Sequence, residues 1–198
     1  MKRLILVVFL LVVFNPIYIL EGSKTKYIQT HSKVDPDAIM RTIRSGIRNT
    51  QFVKDNIEFD GSKLDAEAAI LGLIYIESTF KADAVNLKSG CSGLLQIEKA
   101  TYMNMIKSGM ITVNNWANIN DPYYNILIGI LWFDYTYKLV KKSLPKLSKA
   151  EVFKVAIAAY NKGVSVTVKE VRSSGGIPPK YRYVERFRWA YRNVKKMS

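Results

Sequence analysis

Between Ala66 and Glu77 the chain reads as a helix that is apolar on every face and then ends on a carboxylate. Counting backward from Glu77 at helical spacing meets Leu73, Ile70 and Ala66, while Leu71, Ile74 and Ile76 occupy the other faces. A helix apolar all round must be covered by the rest of its domain, so other elements have to pack on every side of this one. A carboxyl at the end of such a helix loses solvation of its charged form, and its pKa rises toward the range where it holds a proton at neutral pH. That is the state a general acid needs. The same position also suits a glutamate that caps a neighbouring element or pairs with an arginine, and these residues alone leave both readings open. Gly90, Gly93 and a Gln96 set among Leu94, Leu95 and Ile97 follow, a turn-rich segment whose bare backbone is free to lie against a ligand.

The flanking elements that would cover this helix are themselves helical by pattern. Asp35-Pro36-Asp37 offers an N-cap with proline at the first helical position, and Ile39, Ile43 and Ile47 form a stripe, with Arg41, Arg44 and Arg48 elsewhere around that helix. Asp60-Gly61-Ser62 marks a turn, and Ser62 with Asp65 is placed to cap the central helix. Glu98–Lys107 is a predicted helix ended by Gly109, and the stretch 110–120 an irregular connection carrying Trp116. Asp121-Pro122 opens a long apolar helix through Ile126, Ile130, Phe133 and Tyr137 to Lys141 and Lys142, cations where the macrodipole favours them. Ser148 and Glu151 form a capping box for a helix that carries Val152, Val155, Ala156 and Ala159 and delivers Tyr160 and Asn161 at its end. Val164, Val166 and Val168 alternate, which predicts a short or irregular strand. The stretch 173–179 is a Gly/Pro break, and Pro179 starts a last helix with Tyr183, Phe187 and Tyr191 on one face. The fold class is mainly α, one domain.

Ahead of that domain, residues 1–20 pair Lys2 and Arg3 with an apolar run, as an export or anchor segment does. No small-residue cleavage site follows, which favours a retained signal-anchor over a cleaved signal peptide; its apolar length is close to the ~17 residues that just span a bilayer, so both outcomes are physically open. Residues 21–34 form a polar linker, and residues 35–198 the domain. His31 in the linker has no second His or Cys beside it, so no metal site is expected. With Cys91 alone there is no intrachain disulfide, and an exported domain is held by its core; no histidine in the motif activates Cys91 as a nucleophile. At 198 residues, 48% hydrophobic and 23% charged, the chain is large enough to bury one. Its net charge is +14, of which Lys2, Arg3 and Glu21 account for +1, leaving +13 after residue 21. Such a surface seeks polyanions. Acidic residues are scattered among the basic ones and no nucleic-acid motif is present, so nucleic acid is not the expected partner.

The sequence Glu77-Ser78-x-Phe80 followed by Ala84 and Gly90-Cys91-Ser92-Gly93-Leu94-Leu95-Gln96 resembles the first two motifs of lytic transglycosylases of the soluble (SLT) type, which have a goose-type lysozyme-like fold. Ala159-Tyr160-Asn161-Lys162-Gly163 is similar to that family's A-Y-N-x-G motif, and Tyr183-Val184-Glu185-Arg186-Phe187 to its tyrosine-led last one. Asp121-Pro122 with Asn125, Ile126 and Gly129 resembles its middle helix, so the likeness runs from about residue 60 to 192 in the family's order. It implies a helical domain with a cleft, no cofactor, and peptidoglycan glycan strands as partner. It further implies that Glu77 protonates the bond between N-acetylmuramic acid and N-acetylglucosamine and then acts as base, with 1,6-anhydro ends as product. Tyr160 would set its hydroxyl against Glu77, with Ser78 supporting; Gln96 and Asn161 would offer amides to the sugars, and Tyr183 would line the cleft. Two departures stand out: Asn86 occupies a place where the family commonly has serine, in a loop one residue longer, and Cys91 replaces an alanine. Asn86 can still donate a hydrogen bond, and the resemblance would place it among the substrate-binding residues. A goose-type lysozyme would need a second carboxylate, for which Asp83, Glu98, Asp134 and Glu185 are available; a catalytically idle wall-binding component is the third reading. The expected setting is exported and membrane-anchored, facing the wall, or in a phage or secretion machine.

Overall fold

The computed structural model describes residues 34–112, 114–176 and 181–196. The expected anchor segment, nearly all of the linker with His31, and Pro179 lie outside the described residues. The first helix, α1 (Pro36–Ile47), starts as its sequence predicts: Asp35 Oδ1 accepts from the Asp37 N–H at 2.9 Å, and Ile39, Ile43 and Ile47 are buried. A single-turn helix, α2 (Gln51–Lys54), follows. Asp134 accepts from its first N–H, that of Gln51, at 2.5 Å.

Next comes a hairpin of which the sequence pattern announces only the turn at Asp60-Gly61. Strands β1 (Glu58–Phe59) and β2 (Ser62–Lys63) pair antiparallel across Asp60-Gly61, both left-handed at φ 57° and 80°, as a two-residue hairpin turn requires. Ser62 is therefore a strand residue opposite Phe59, and Asp65 alone caps the helix that follows, accepting from the Ala68 N–H at 3.0 Å. This corrects the expected Ser62 cap.

The apolar helix is α3 (Ala66–Ser78), with every residue from Ala68 to Ile74 buried. Beyond it lie α4 (Lys99–Lys107), a 3₁₀ turn (Trp116–Asn118), α5 (Pro122–Ser143), α6 (Lys149–Lys162), α7 (Val164–Ser173) and α8 (Arg182–Lys195). Asp121 caps α5 through the Tyr124 N–H at 2.8 Å, and the Ser148–Glu151 capping box of α6 is formed. The expected strand at 164–168 is corrected to a helix. Val168 and Val171 with Thr167 sit on its buried face, whereas Val166 is 50% exposed, so helical spacing outweighed the alternation.

α3 is enclosed by α1, by α8 and by the loop that follows it. Gly72 sets the α3–α8 distance: a Cβ there would lie 3.3 Å from the backbone nitrogen of Tyr191. At the other flank Phe153 of α6 meets Phe59 at 5.2 Å, Phe133 at 5.7 Å and Phe187 at 6.0 Å between ring centroids. One aromatic cluster thus ties β1, α5, α6 and α8 together. This core fixes the ends of α3, α6 and α8 relative to one another.

Candidate active site

Glu77 sits in the last turn of α3, and the chain leaves that helix abruptly. Thr79 and Phe80 are both left-handed, at φ 50° and 62°, a conformation that costs a non-glycine residue about 1–2 kcal/mol. Burial of Phe80 helps hold the turn, as do two bonds to α3 carbonyls, from the Thr79 N–H to Tyr75 at 3.0 Å and from Ser78 Oγ to Ile74 at 3.1 Å. Ser78 is buried and its hydroxyl is spent on its own helix, not on the Glu77 carboxyl.

A cleft of about 600 Å³ opens beside Glu77. Asn161, Tyr181 and Tyr183 contribute polar wall, Ile76 and Ala158 apolar floor, and Lys162, Arg182 and Arg186 positive charge. Among the described residues lining it, Glu77 is the sole acid. Tyr183 Oη donates a hydrogen bond to Glu77 Oε1. Burial pushes the Glu77 carboxyl above its ordinary value, opposed by that hydrogen bond and by the charge of Arg186. Desolvation wins, so the protonated form is favoured more than in water. The Tyr183 and Tyr160 phenols are both pushed well up, by burial and then by the nearby Glu77 carboxylate.

The expected bond from Tyr160 to Glu77 is not what is found. Tyr160 Oη donates to the carbonyl of Leu95 at 2.8 Å, and Tyr183 takes the place on the carboxylate. The reason lies in the glycine-rich loop. Asn125 of α5, fully buried, accepts from the Leu95 N–H at 2.7 Å and donates to the carbonyls of Ser92 and Ile119 at 3.0 and 2.9 Å. Leu95 is gripped on one side of its backbone by α5 and on the other by Tyr160 of α6. A Cβ on Gly93 would stand 2.1 Å from Asn125 Nδ2, so only glycine lets that side chain in.

Gln96, left-handed at φ 47°, spends its amide nitrogen on the carbonyls of Ala84 and Gly93 at 3.0 and 2.9 Å. It braces the loop, and only its side-chain oxygen is left for other partners. Asn86 likewise turns inward on its own loop, its side-chain oxygen accepting from the N–H groups of Lys88 and Ser89 at 3.0 and 3.2 Å; it does not line this cleft. Glu77, Asn161 and Tyr183 are brought together; Gln96, Asn86 and Ser78 serve the loops around them. Arg186 and Asn125 stand within the quoted motifs but were given no role of their own there. The available signals were an arginine one turn after Tyr183 and an amide inside an apolar helix.

None of the four other candidate acids lines this cleft. Asp134 holds α2 and pairs with Lys138 at 2.7 Å, and Glu185 is exposed with Arg188 at 3.0 Å. Asp83 and Glu98 are exposed, the latter at the start of α4. Among the described residues no cluster of acids, histidines or cysteines is arranged to hold a metal ion.

Comparison with known proteins finds a family likeness and a likeness of fold. The family model for the transglycosylase SLT domain matches residues 56–181. Among solved structures, an inactive glutamate-to-glutamine mutant of the lytic transglycosylase Slt from Pseudomonas aeruginosa is similar in fold, with a TM-score of 0.50 at 15% identity. The likeness covers 79% of this chain and 22% of that one, so this chain spans about a fifth of its length. No curated protein sequence matches significantly.

Proposed function

Since this chain belongs to the transglycosylase SLT domain family, we propose that it is a peptidoglycan lytic transglycosylase whose one catalytic carboxyl, Glu77, serves first as acid and then as base. The observation that carries this reading is the pairing of a single acid in the cleft with a raised carboxyl pKa. Glycosidases with a protein nucleophile or an activated water need a second carboxylate across the bond, and Asp83, Glu98, Asp134 and Glu185 stand outside this cleft. An intramolecular nucleophile removes that need.

In the proposed sequence, protonated Glu77 gives its proton to the glycosidic oxygen between N-acetylmuramic acid and N-acetylglucosamine as the bond to C1 breaks. The resulting carboxylate, held by the Tyr183 hydroxyl, takes the proton of the muramoyl C6 hydroxyl while that oxygen bonds to C1. The glycan leaves with a 1,6-anhydro end, no water is consumed, and Glu77 regains its proton. Asn161 offers its amide to the sugar at the same wall, Gln96 its remaining oxygen from the loop, and Tyr160 keeps that loop in place. Local opening of the wall, for remodelling or for passage of a phage or secretion apparatus, is the setting we propose. The test is Glu77→Gln, assayed on one preparation for wall cleavage, wall pulldown and melting. Cleavage should fall to the assay floor with binding and fold kept, because glutamine is nearly isosteric with the neutral acid but delivers no proton. A folded variant that still cuts would remove Glu77 from the mechanism.

A further inference from the structure

The helix that carries Glu77 ends in a turn that local residues hold only in part. A helix terminus leaves its last carbonyls without intrahelical donors, and two successive left-handed residues, Thr79 and Phe80, deny them the next turn. The carbonyls of Ile74 and Tyr75 are taken by Ser78 Oγ and the Thr79 N–H. That of Ile76 is taken from outside, by Arg186 Nη2 of α8 at 3.2 Å. Tyr183 and Arg186 stand three apart on α8 and so share a side of it; there they address the consecutive residues Glu77 and Ile76. The register that permits this is set where Gly72 admits the Tyr191 backbone and where the Asp65 N–H donates to Tyr191 Oη at 3.1 Å, so α8 grips α3 at both ends.

Arg186, like Arg182, differs in pairing from the later arginines of α8. Arg188 is paired with Glu185 at 3.0 Å and Arg192 with Asp60 at 2.5 Å, whereas among the described residues Arg186 makes no ion pair and lines the cleft beside Glu77. It lies beyond residue 181, where the family match ends.

We propose that Arg186 is a positioning residue for Glu77: its guanidinium clamps the turn that ends α3 and sets the charge against which the carboxyl gives up and regains its proton. This rests on Glu77 being the acid and base. A cation beside the cleft favours the carboxylate, and so opposes the effect of burial. The groups facing Glu77 are Tyr183 and Arg186 from α8 and Tyr160 from α6, with Cys91 behind Tyr160. Lys162 and Arg182 also line the cleft, Lys162 tied to Glu170 at 3.1 Å. The two tyrosines titrate far above the range in question, and Lys162 and Arg182 are untouched by a change at Arg186. A shift on its removal is therefore assignable to Arg186.

The experiment measures kcat/KM against pH on peptidoglycan fragments for the full chain and for Arg186→Gln, Arg186→Met and Arg186→Lys. Activity depends on protonated Glu77, so its alkaline limb reports where that proton is lost. Losing the positive charge raises the Glu77 pKa, and both neutral variants should move the limb to higher pH by about half a unit; Arg186 is exposed, so the shift falls short of the 1–3 units a close opposite charge gives. Arg186→Lys should leave the limb in place and restore part of the lost kcat. Methionine keeps the aliphatic stem, so at least one neutral variant retains the packing at this site. A limb that coincides with wild type in whichever neutral variant folds overturns the proposal, even if kcat or melting temperature falls, because that is the behaviour of a packing residue. The Glu77 reading fails by a separate result, cleavage by Glu77→Gln.

Discussion

Burial sets the sign of the Glu77 shift, and the hydrogen bond from the Tyr183 hydroxyl opposes it. Tyr183 stabilises the carboxylate, so Tyr183→Phe should raise the Glu77 pKa, move the alkaline limb upward and lower turnover by about 10-fold or more through lost orientation. Its melting temperature should stay near wild type, which a melt and a pH profile on the same sample would check. Tyr160→Phe should differ in kind: with the Leu95 carbonyl left without its donor, the domain should lose about 1–3 kcal/mol in a denaturant titration. Glu77 itself follows the rule for a carboxyl with a raised folded pKa. Its contribution to stability is full below the unfolded value of about 4.3 and is lost as pH rises through the folded one; at neutral pH, Glu77→Gln should melt no lower than wild type. At this scale the sequence was legible where chemistry alone decided the matter, as with a carboxylate closing an apolar helix. Which of two tyrosines reaches that carboxylate depends on the register of α8 against α3, a distance that linear spacing does not contain.

Capping chemistry made several elements readable: Asp35 before Pro36, Asp121 before Pro122, and Ser148 with Glu151 each start a helix where expected. The segment after Gly163 was not readable for a physical reason. Val164, Val166 and Val168 fit a period of two, but Val164, Val168 and Val171 fit a helix equally well, and packing on α5 and α6 decided between them. The turn at Asp60-Gly61 was readable but its strands were not, because two residues each leave no periodicity to see. The loop that carries Gln96 depends on glycine at contacts made by a distant helix. A Cβ on Gly129 would lie 2.3 Å from Leu95 Cδ1, so Gly129→Ala should cost about 1–3 kcal/mol by overpacking. It should also lower activity, since it displaces the residue that Asn125 and Tyr160 hold. Chemical denaturation with a parallel cleavage assay checks both, and an unchanged midpoint would mean the loop is not pinned at α5.

Across the whole molecule, stability at low pH depends on carboxylates far from the cleft. Burial pulls the Asp55 carboxyl up, but hydrogen bonds from Lys141, Tyr137 and Gln51 outweigh it and hold the pKa below the ordinary value; at Asp60 the bonds from Arg192 dominate in the same direction. Groups depressed in this way stabilise above their unfolded pKa of about 3.9, and that contribution is lost as pH falls through the folded values. Tyr137→Phe should therefore weaken the domain at pH 7 more than at pH 2, as paired melts would reveal. The anchor expected from residues 1–20 is tested by carbonate washing: the full-length chain should stay with membrane, and recovery in the wash with a new N-terminus near Gly22 would mean cleavage and export. The central claim, one glutamate and no attacking water, is tested most directly by digesting purified peptidoglycan in water labelled with heavy oxygen and weighing the products. The account predicts ends one water lighter than hydrolytic ones and free of label. Reducing ends carrying heavy oxygen would contradict it and assign the chain to hydrolysis.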